Sequence, residues 1–547
     1  MLALFCLMLE RAALAVVPRP SSWYCSPAAG SSATLHRSST GSASRAPAPP
    51  DVRVAYVDTT FYELRLTAYR NWLPLTPGRL QERRNGGGLA AWGGAYLVVD
   101  GTGALYRVEP RSQALRVETL PHEVPINIAQ FEAGARRVYA RAVGDWVEST
   151  RFRVSGILLE QDGERTRIYA AHHWWNDRDS CFVMRVSVIE GTLAQLRDPA
   201  APIAWHTLFE SRPCLPLNVD NPRGPRFEGL ESGGRMLRLD ADTLLLSLGD
   251  HGFDGLNRRE ALAQDPLASF GKLLRIRTSD GSATVHTLGH RNPQGLLRAT
   301  DGTIWELEHG PHGGDELNRI VEGRNYGWPR VTYGTDYGRR SWPANALQGR
   351  HEGYERPAYV FLPSVAVSNL VQAHGGRLPL WDGDLLLGTL KGLALERVRL
   401  EDGHVQFVEP IPVGYRVRDL VIGGDGRIAL WSDERALVIV EPTETHVGDA
   451  LFSQCSVCHG LNIWDAAWKA PNLYKIVDRP VASADDFAYS PAMRELGGSW
   501  SRVRLEAFIE DPQRFLPGTS MAFPGVRNAA ERKAIVDFLV SRRDADD

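Results

Sequence analysis

The run Cys455-Ser456-Val457-Cys458-His459 decides how the C-terminal part of this chain folds. C-x-x-C-H is the spacing at which two thiols can form thioethers to one haem while the adjoining imidazole binds its iron. A thioredoxin-like redox pair would need a βαβ setting, and a structural zinc would need a second pair of ligands; the neighbouring sequence offers neither. Downstream, Pro517-Gly518-Thr519-Ser520-Met521 sets a thioether in a turn, followed by Phe523-Pro524-Gly525. The chain has only 6 methionines, so one in such a turn, outside any apolar helical stripe where packing would explain it, reads as the second iron ligand. A His459/Met521 pair also raises a haem potential, which suits an electron acceptor.

Working outward from that pair, residues 447–542 resemble a class I cytochrome c of the mitochondrial or c2 type, a small all-α fold. Gly448 and Phe452 stand where this family packs its first helix on its last, here at Phe538. Pro471-Asn472-Leu473 matches the segment whose carbonyl orients the ligating imidazole, a support that metal-bound histidines ordinarily have. Arg479, Tyr489 and Trp500 match contacts to the haem propionates, and Thr519 precedes Met521 as in the family. The resemblance implies one covalent haem c on Cys455 and Cys458, with His459 and Met521 on the iron. It also implies export to the periplasm, where such haems are attached.

The rest of the chain is much larger. At 547 residues there is room for several domains, and 43% apolar with 23% charged residues is ordinary for a packed globular protein. A net charge of -3 without basic blocks argues against nucleic acid as a partner. Leu2 to Leu9 are apolar but too few to span a bilayer, and no basic residue precedes them. A weak signal peptide and a start assigned too far upstream both remain open. Ser26 to Pro50 is so rich in Ser, Ala, Pro, Gly and Thr that it reads as a tether, so residues 1–50 are leader and linker. Apart from Cys6 and Cys25 in the leader and the haem pair, Cys181 and Cys214 remain, either as a disulfide or as two buried thiols.

Between residues 51 and 440 the pattern is short β-rich runs broken by Gly, Asp and Asn, with little sustained helical periodicity. Asp-Gly turns recur at Asp100, Asp162, Asp301, Asp382 and Asp425, with a related turn at Asp240 to Asp242. Such spacing suits an all-β propeller, whose blades are four-stranded sheets in radial repetition. A linker at 441–446 would then lead to the cytochrome-like domain.

Three loops say more: Gly289-His290-Arg291-Asn292-Pro293-Gln294-Gly295, then Glu308 to Asn318 with its Gly310-Pro311-His312-Gly313-Gly314 core, then Gly414 to Asp419. They resemble the soluble glucose, aldose and sorbosone dehydrogenases, six-bladed propellers that bind pyrroloquinoline quinone (PQQ) and calcium. The resemblance runs from about Gly156 to Ile439. It implies that Arg291, Asn292, Lys391, Arg416 and Arg418, with Ser364, bind the quinone's oxygens and carboxylates. A tricarboxylate needs several fixed cations, and arginine supplies planar paired donors. An isolated arginine is ordinarily a solvated surface charge, but the flanking Gly and Pro residues imply shaped loops. The resemblance further implies calcium on the backbone carbonyls of Gly310 and Pro311, a second, structural calcium at Glu316, and a sugar contact at Asp250. Asp315 and Glu316 could instead simply cap a turn.

One departure matters. The family's catalytic base is a histidine shortly before a Gly-Arg pair; here Gly234-Arg235 aligns so that Glu231 takes that place. The family's glutamine before the next Gly-Leu-Leu segment is missing too, since Val154 precedes Gly156-Ile157-Leu158. The expected function is therefore a periplasmic PQQ- and calcium-dependent dehydrogenase of a sugar or alcohol. It would use Glu231, Asp250 and Arg291 and pass electrons through its haem to an external carrier or oxidase, without a transmembrane span. The alternative is a non-catalytic propeller that binds a partner or glycan beside an electron-transfer cytochrome.

Overall fold

A computed structural model describes residues 51–544 except 74–84, 113, 141–148, 219–226, 228, 339, 343–349, 445–446 and 462–468. The leader and tether expected at residues 1–50, with Cys6 and Cys25, lie outside the described residues. Residues 51–444 form six antiparallel sheets. Their inner strands are Gly88–Trp92, Val154–Asp162, Gly233–Asp240, Pro293–Arg298, Val367–Gln372 and Val417–Ile422. Each inner strand packs beside the next, and the last returns to the first, so the sheets are the six blades of a propeller.

The recurrent Asp turns have a structural meaning. Those at Asp162, Asp240, Asp301, Asp382 and Asp425 all join, or lead into, the second strand of a blade, and in the last four an Asp side chain accepts a backbone N–H of the connection, as Asp301 does from Thr303 at 2.8 Å. They therefore mark one face of the ring, called the base here. The opposite face, where the inner strands begin, is the mouth. Asp100 is the exception, since its turn follows the second strand of the first blade, at the mouth.

Alternation along the strands builds the core between blades. Val367–Gln372 and Leu385–Thr389 are almost entirely buried on both faces, as expected of strands sandwiched between neighbouring sheets. Inner strands approach so closely that a Cβ at Gly156 would stand 2.4 Å from the carbonyl oxygen of Gly234 in the next blade. At the axis, Asp419 is fully buried and accepts from Arg235 Nη1 (2.8 Å), from Leu89 N (2.9 Å) and from Asn369 Nδ2 (2.7 Å), tying four blades through one carboxylate.

The ring is closed by its own beginning. Strand Glu63–Arg70 pairs with Leu437–Glu444 and is itself covered by Asp51–Asp58, giving the last blade five strands. This corrects the expected boundary. Residues 441–444 were expected in a linker, but they continue the strand because Glu63, Leu64 and Arg65 pair with them and Arg65 forms an ion pair with Glu441. A second departure is helix Ile128–Ala140, inserted between the first two blades in a region expected to be β throughout. It is held by aromatic packing: Phe131 stacks on Phe152 at 4.1 Å and meets Trp175 at 5.7 Å.

Helices Val447–Ser456, Pro491–Glu495, Arg502–Glu510, Pro512–Phe515 and Ala529–Asp544 follow. Side chains of Ser490, Ser501 and Asp511 cap three of them by accepting from the third residue onward. Phe452 packs on Phe538 at 5.5 Å, joining first helix to last as the sequence led one to expect. The contacts of Gly448 lie outside the described residues. The helices share one apolar cluster with the last two blades, and Arg399 donates to Glu531 at 2.5 Å across the junction.

Candidate functional site

The propeller mouth collects most of the residues singled out in the sequence, because the loops that carry them all lie where inner strands begin or second strands end. Arg291 and Asn292 precede inner strand Pro293–Arg298, and Arg416 and Arg418 stand at the start of Val417–Ile422. Glu231 precedes Gly233–Asp240; Asp250 follows Thr243–Leu248, and Gly310 follows Ile304–Glu308. Ser364 and Lys391 flank Val367–Gln372 and Leu385–Thr389 at the same face.

At the centre, the Arg291 guanidinium forms an ion pair with Glu231, donates to the Gly310 carbonyl at 3.0 Å, and lies over Trp328 at 5.4 Å. Burial acts to lower its pKa, but the surrounding negative charge, Glu231 foremost, outweighs burial and raises it. Asp250 is fully buried, accepts from Trp328 Nε1 at 2.6 Å, and its backbone N–H is held by the Arg291 carbonyl at 2.9 Å. Burial first, and then the charges of Glu231 and Asp254, push its carboxyl well above the usual range. Gly249 makes this proximity feasible, since a Cβ there would stand 2.1 Å from the Glu231 carbonyl oxygen.

The other cations are braced from behind. Arg418 is buried and makes paired bonds of 2.8 and 2.9 Å to Asp433, while the half-buried Arg416 reaches the same carboxylate at 3.4 Å and the Leu390 carbonyl at 3.2 Å. Lys391 is exposed. Asn292 accepts from Gln294 Nε2 at 2.7 Å. Ser364 does not face the mouth freely, because its hydroxyl donates to Asp315 at 2.7 Å. This donor set fits a polycarboxylate. The calcium position fits only with a rearrangement, since Arg291 Nη1 already occupies the Gly310 carbonyl.

Glu316 is part of a larger acidic cluster. Ligand atoms of His290, Glu306 and Glu308 lie within 4.8 Å of one another. Asn318 Nδ2 donates to Glu306 (3.0 Å), Glu308 (3.2 Å) and Glu316 (3.4 Å). Burial and then the Glu308 charge raise the pKa values of both Glu306 and Glu316. Glu306 Oε1 and Asn318 Oδ1 are buried without a hydrogen-bond partner. Carboxylates and an amide oxygen with unused lone pairs fit a hard cation.

In the helical domain, His459 Nδ1 donates to the Pro471 carbonyl at 2.7 Å, which leaves Nε2 for a metal, and burial lowers the imidazole's pKa. Cys455 is half-buried and Cys458 exposed, and neither is in a disulfide. Met521 packs against the same apolar cluster, and its backbone N–H is held by Thr519 Oγ1 at 3.3 Å. Arg479 donates to the carbonyls of Tyr474 (2.9 Å) and Asn472 (2.6 Å), with Nε buried and unpartnered. An orphaned guanidinium nitrogen beside the His459 segment fits a haem propionate. Trp500 is buried on Phe508 at 5.1 Å, and Tyr489 accepts from Ala484 N at 3.4 Å.

Sequence reasoning missed Trp328, Asp433, Asp254 and the Glu306/Glu308/His290 group. Glu306 and Glu308 alternate along one strand, so they share a face, and that pattern was a readable signal.

Fold and site together define a six-bladed propeller with a cation-lined mouth, followed by a helical domain built around a haem-attachment motif. Residues 225–440 match the family model described as Glucose / Sorbosone dehydrogenase. The chain is 31% identical over 226 residues to aldose sugar dehydrogenase YliI of Escherichia coli, covering 38% of this chain and 58% of the relative. It is 26% identical over 363 residues to quinoprotein glucose dehydrogenase B of Acinetobacter calcoaceticus, 51% of this chain and 75% of that one. Cytochrome c2 of Rhodomicrobium vannielii is 30% identical over 95 residues, 17% of this chain and 76% of the relative. The chain thus spans less than two thirds of the aldose sugar dehydrogenase. The C-x-x-C-H signature of cytochromes c occurs once, at Cys455–His459. The C-terminal domain belongs to the cytochrome c family, and the matches support a dehydrogenase propeller of the glucose and sorbosone type ahead of it.

Proposed function

We propose that this protein is a periplasmic PQQ- and calcium-dependent dehydrogenase that oxidises a sugar or related alcohol and delivers the electrons by way of haem c to an external carrier. The observation that carries this reading is the mouth cluster: a buried carboxyl, a second carboxylate and an arginine converge beside braced cations. When bound, PQQ would supply an electrophilic quinone carbonyl that accepts hydride, with calcium polarising it. Arg416, Arg418 and Lys391 would hold its carboxylates, and Asn292 an oxygen. Arg291 would face the negative charge that develops during oxidation, fixed in place by Glu231 and the Gly310 carbonyl. Glu231 and Asp250 are the groups that can take the hydroxyl proton. Burial, with the charges of Glu231 and Asp254, pushes the Asp250 carboxyl upward, which makes its protonated form easier to reach. Glu316, with Glu306, Glu308 and Asn318, would hold the structural cation. His459 and Met521 would ligate the haem iron, with Cys455 and Cys458 attaching the haem and Arg479, Tyr489 and Trp500 near its propionates.

The test is reconstitution. Protein supplied with PQQ and calcium is offered a panel of aldoses and alcohols, and reduction of an artificial dye is followed. Dye reduction with at least one aldose is expected, and it should be lost on chelation. Bound PQQ without turnover on any substrate would leave the propeller as a binding module for a glycan or partner.

A further inference from the structure

We infer that the haem domain and the quinone mouth of one chain stand at opposite faces of the propeller, so that a haem reduced from the mouth belongs to a second copy of the chain. This rests on the dehydrogenase reading above. The mouth residues singled out in the sequence lie where an inner strand begins or a second strand ends, whereas the contacts described below, which hold the helical domain, lie at the other end. Strand Leu437–Glu444 pairs Glu444 with Glu63 at the base, and the first helix of the haem domain starts at Val447. The two intervening residues can span no more than about 10 Å even when extended, so the domain cannot swing round to the mouth. Its last helix, Ala529–Asp544, packs on Pro379–Trp381 in a base connection. Arg399, near the base end of Ala394–Glu401, donates to Glu531 at 2.5 Å and to the Leu380 carbonyl at 2.7 Å.

Inner strand Val367–Gln372 gives the scale. Ser364, on the mouth side, precedes it, and Pro379–Trp381, under the haem domain, follows it. Six strand residues measure about 20 Å, before either loop is counted. Electron transfer through protein falls steeply with distance, so a centre at the mouth is badly placed for the haem of its own chain.

Electron count points the same way. Oxidation of one alcohol to a carbonyl releases two electrons and two protons; a ferric haem takes one electron, and the protons pass to solvent. In purified protein without an external carrier, one turnover therefore reduces two haems, at least one of which belongs to another copy.

Two measurements test this. The first needs neither quinone nor substrate. A nitroxide is placed at Tyr337→Cys, an exposed position whose native ring packs on His312 at 6.0 Å at the mouth, or at His374→Cys in the base connection. Relaxation of the label by the ferric haem should be strong at 374 and weak at 337; the reverse order overturns the inference. The second follows haem reduction after substrate is added to fully loaded protein. The observed rate constant should fall about tenfold on tenfold dilution, while dye reduction per molecule stays constant. A rate constant unaffected by dilution overturns the inference and leaves the dehydrogenase reading intact. Absence of dye reduction overturns both, even with the label result as expected.

Discussion

Two side chains at the mouth divide the labour that the sequence assigned to them jointly. Arg418 is buried against Asp433, so Arg418→Ala strands a carboxylate that, against burial, Arg418 first and then Arg153 and Arg416 hold low. Breaking such a pair costs on the order of 3–5 kcal/mol, and the melting temperature should drop before quinone binding can be judged. Arg416→Ala, at a half-buried site, should weaken PQQ binding at least tenfold with little change in melting temperature. Titration of quinone absorbance and thermal unfolding on the same samples would separate the two. For the proton acceptor, Glu231→Gln keeps the volume but removes the partner of Arg291, and should lower turnover at least a hundredfold while quinone still binds. Asp250→Asn should do the same if both carboxyls act as one unit. If Asp250→Asn alone abolishes turnover, the base is Asp250. Glu231→His tests whether the family's residue restores faster sugar oxidation.

Disulfide Cys181–Cys214 ties strand Cys181–Thr192 to Leu215–Pro216 across 33 positions, with Cα atoms 5.6 Å apart. Closing a loop of that length in the unfolded chain is worth about 3–4 kcal/mol, so the double replacement by Ala should unfold at lower temperature by several degrees in calorimetry, with haem spectra unchanged. The sequence left the two thiols open because spacing alone does not set register; only the antiparallel pairing brings them together. Elements that repeat were legible: the Asp turns proved to occupy the same place, ahead of the second strand, in successive blades. Elements that occur once were not. Helix Ile128–Ala140 has no counterpart in other blades, and Trp328 reaches Asp250 from the long connection between Ile320 and Tyr359, 78 positions away. The haem motif was readable because its chemistry is local, within five residues and one distant methionine. The mouth needed the resemblance, since Glu231, Asp250, Arg291 and Arg418 converge from four loops that no local pattern connects.

At the scale of the whole molecule, acid should weaken the propeller through its buried histidines. His172 is fully buried, donates from Nδ1 to the His173 carbonyl at 2.8 Å, and accepts from Ser187 at 2.9 Å. Burial holds its pKa down to about 4, against 6.5 in the unfolded chain. A histidine depressed on folding contributes stability that is complete above pH 6.5 and is lost as pH falls toward 4, about 3 kcal/mol for this residue alone. Denaturant unfolding at intervals from pH 7 to 4 should show that slope, and His172→Asn should flatten it by one proton while lowering stability overall. The seam that closes the ring governs something different, the order of events during synthesis. Arg65 and Glu441 meet across 376 positions, so the opening hairpin at 51–70 must wait with an unpaired edge while five blades form behind it. Such an edge is where nascent chains stick to one another. A chain halted before Leu437 would carry those five blades in an open ring, and only with the last strand, immediately before the haem-binding helices emerge, does the circle acquire the cooperativity that resists proteases.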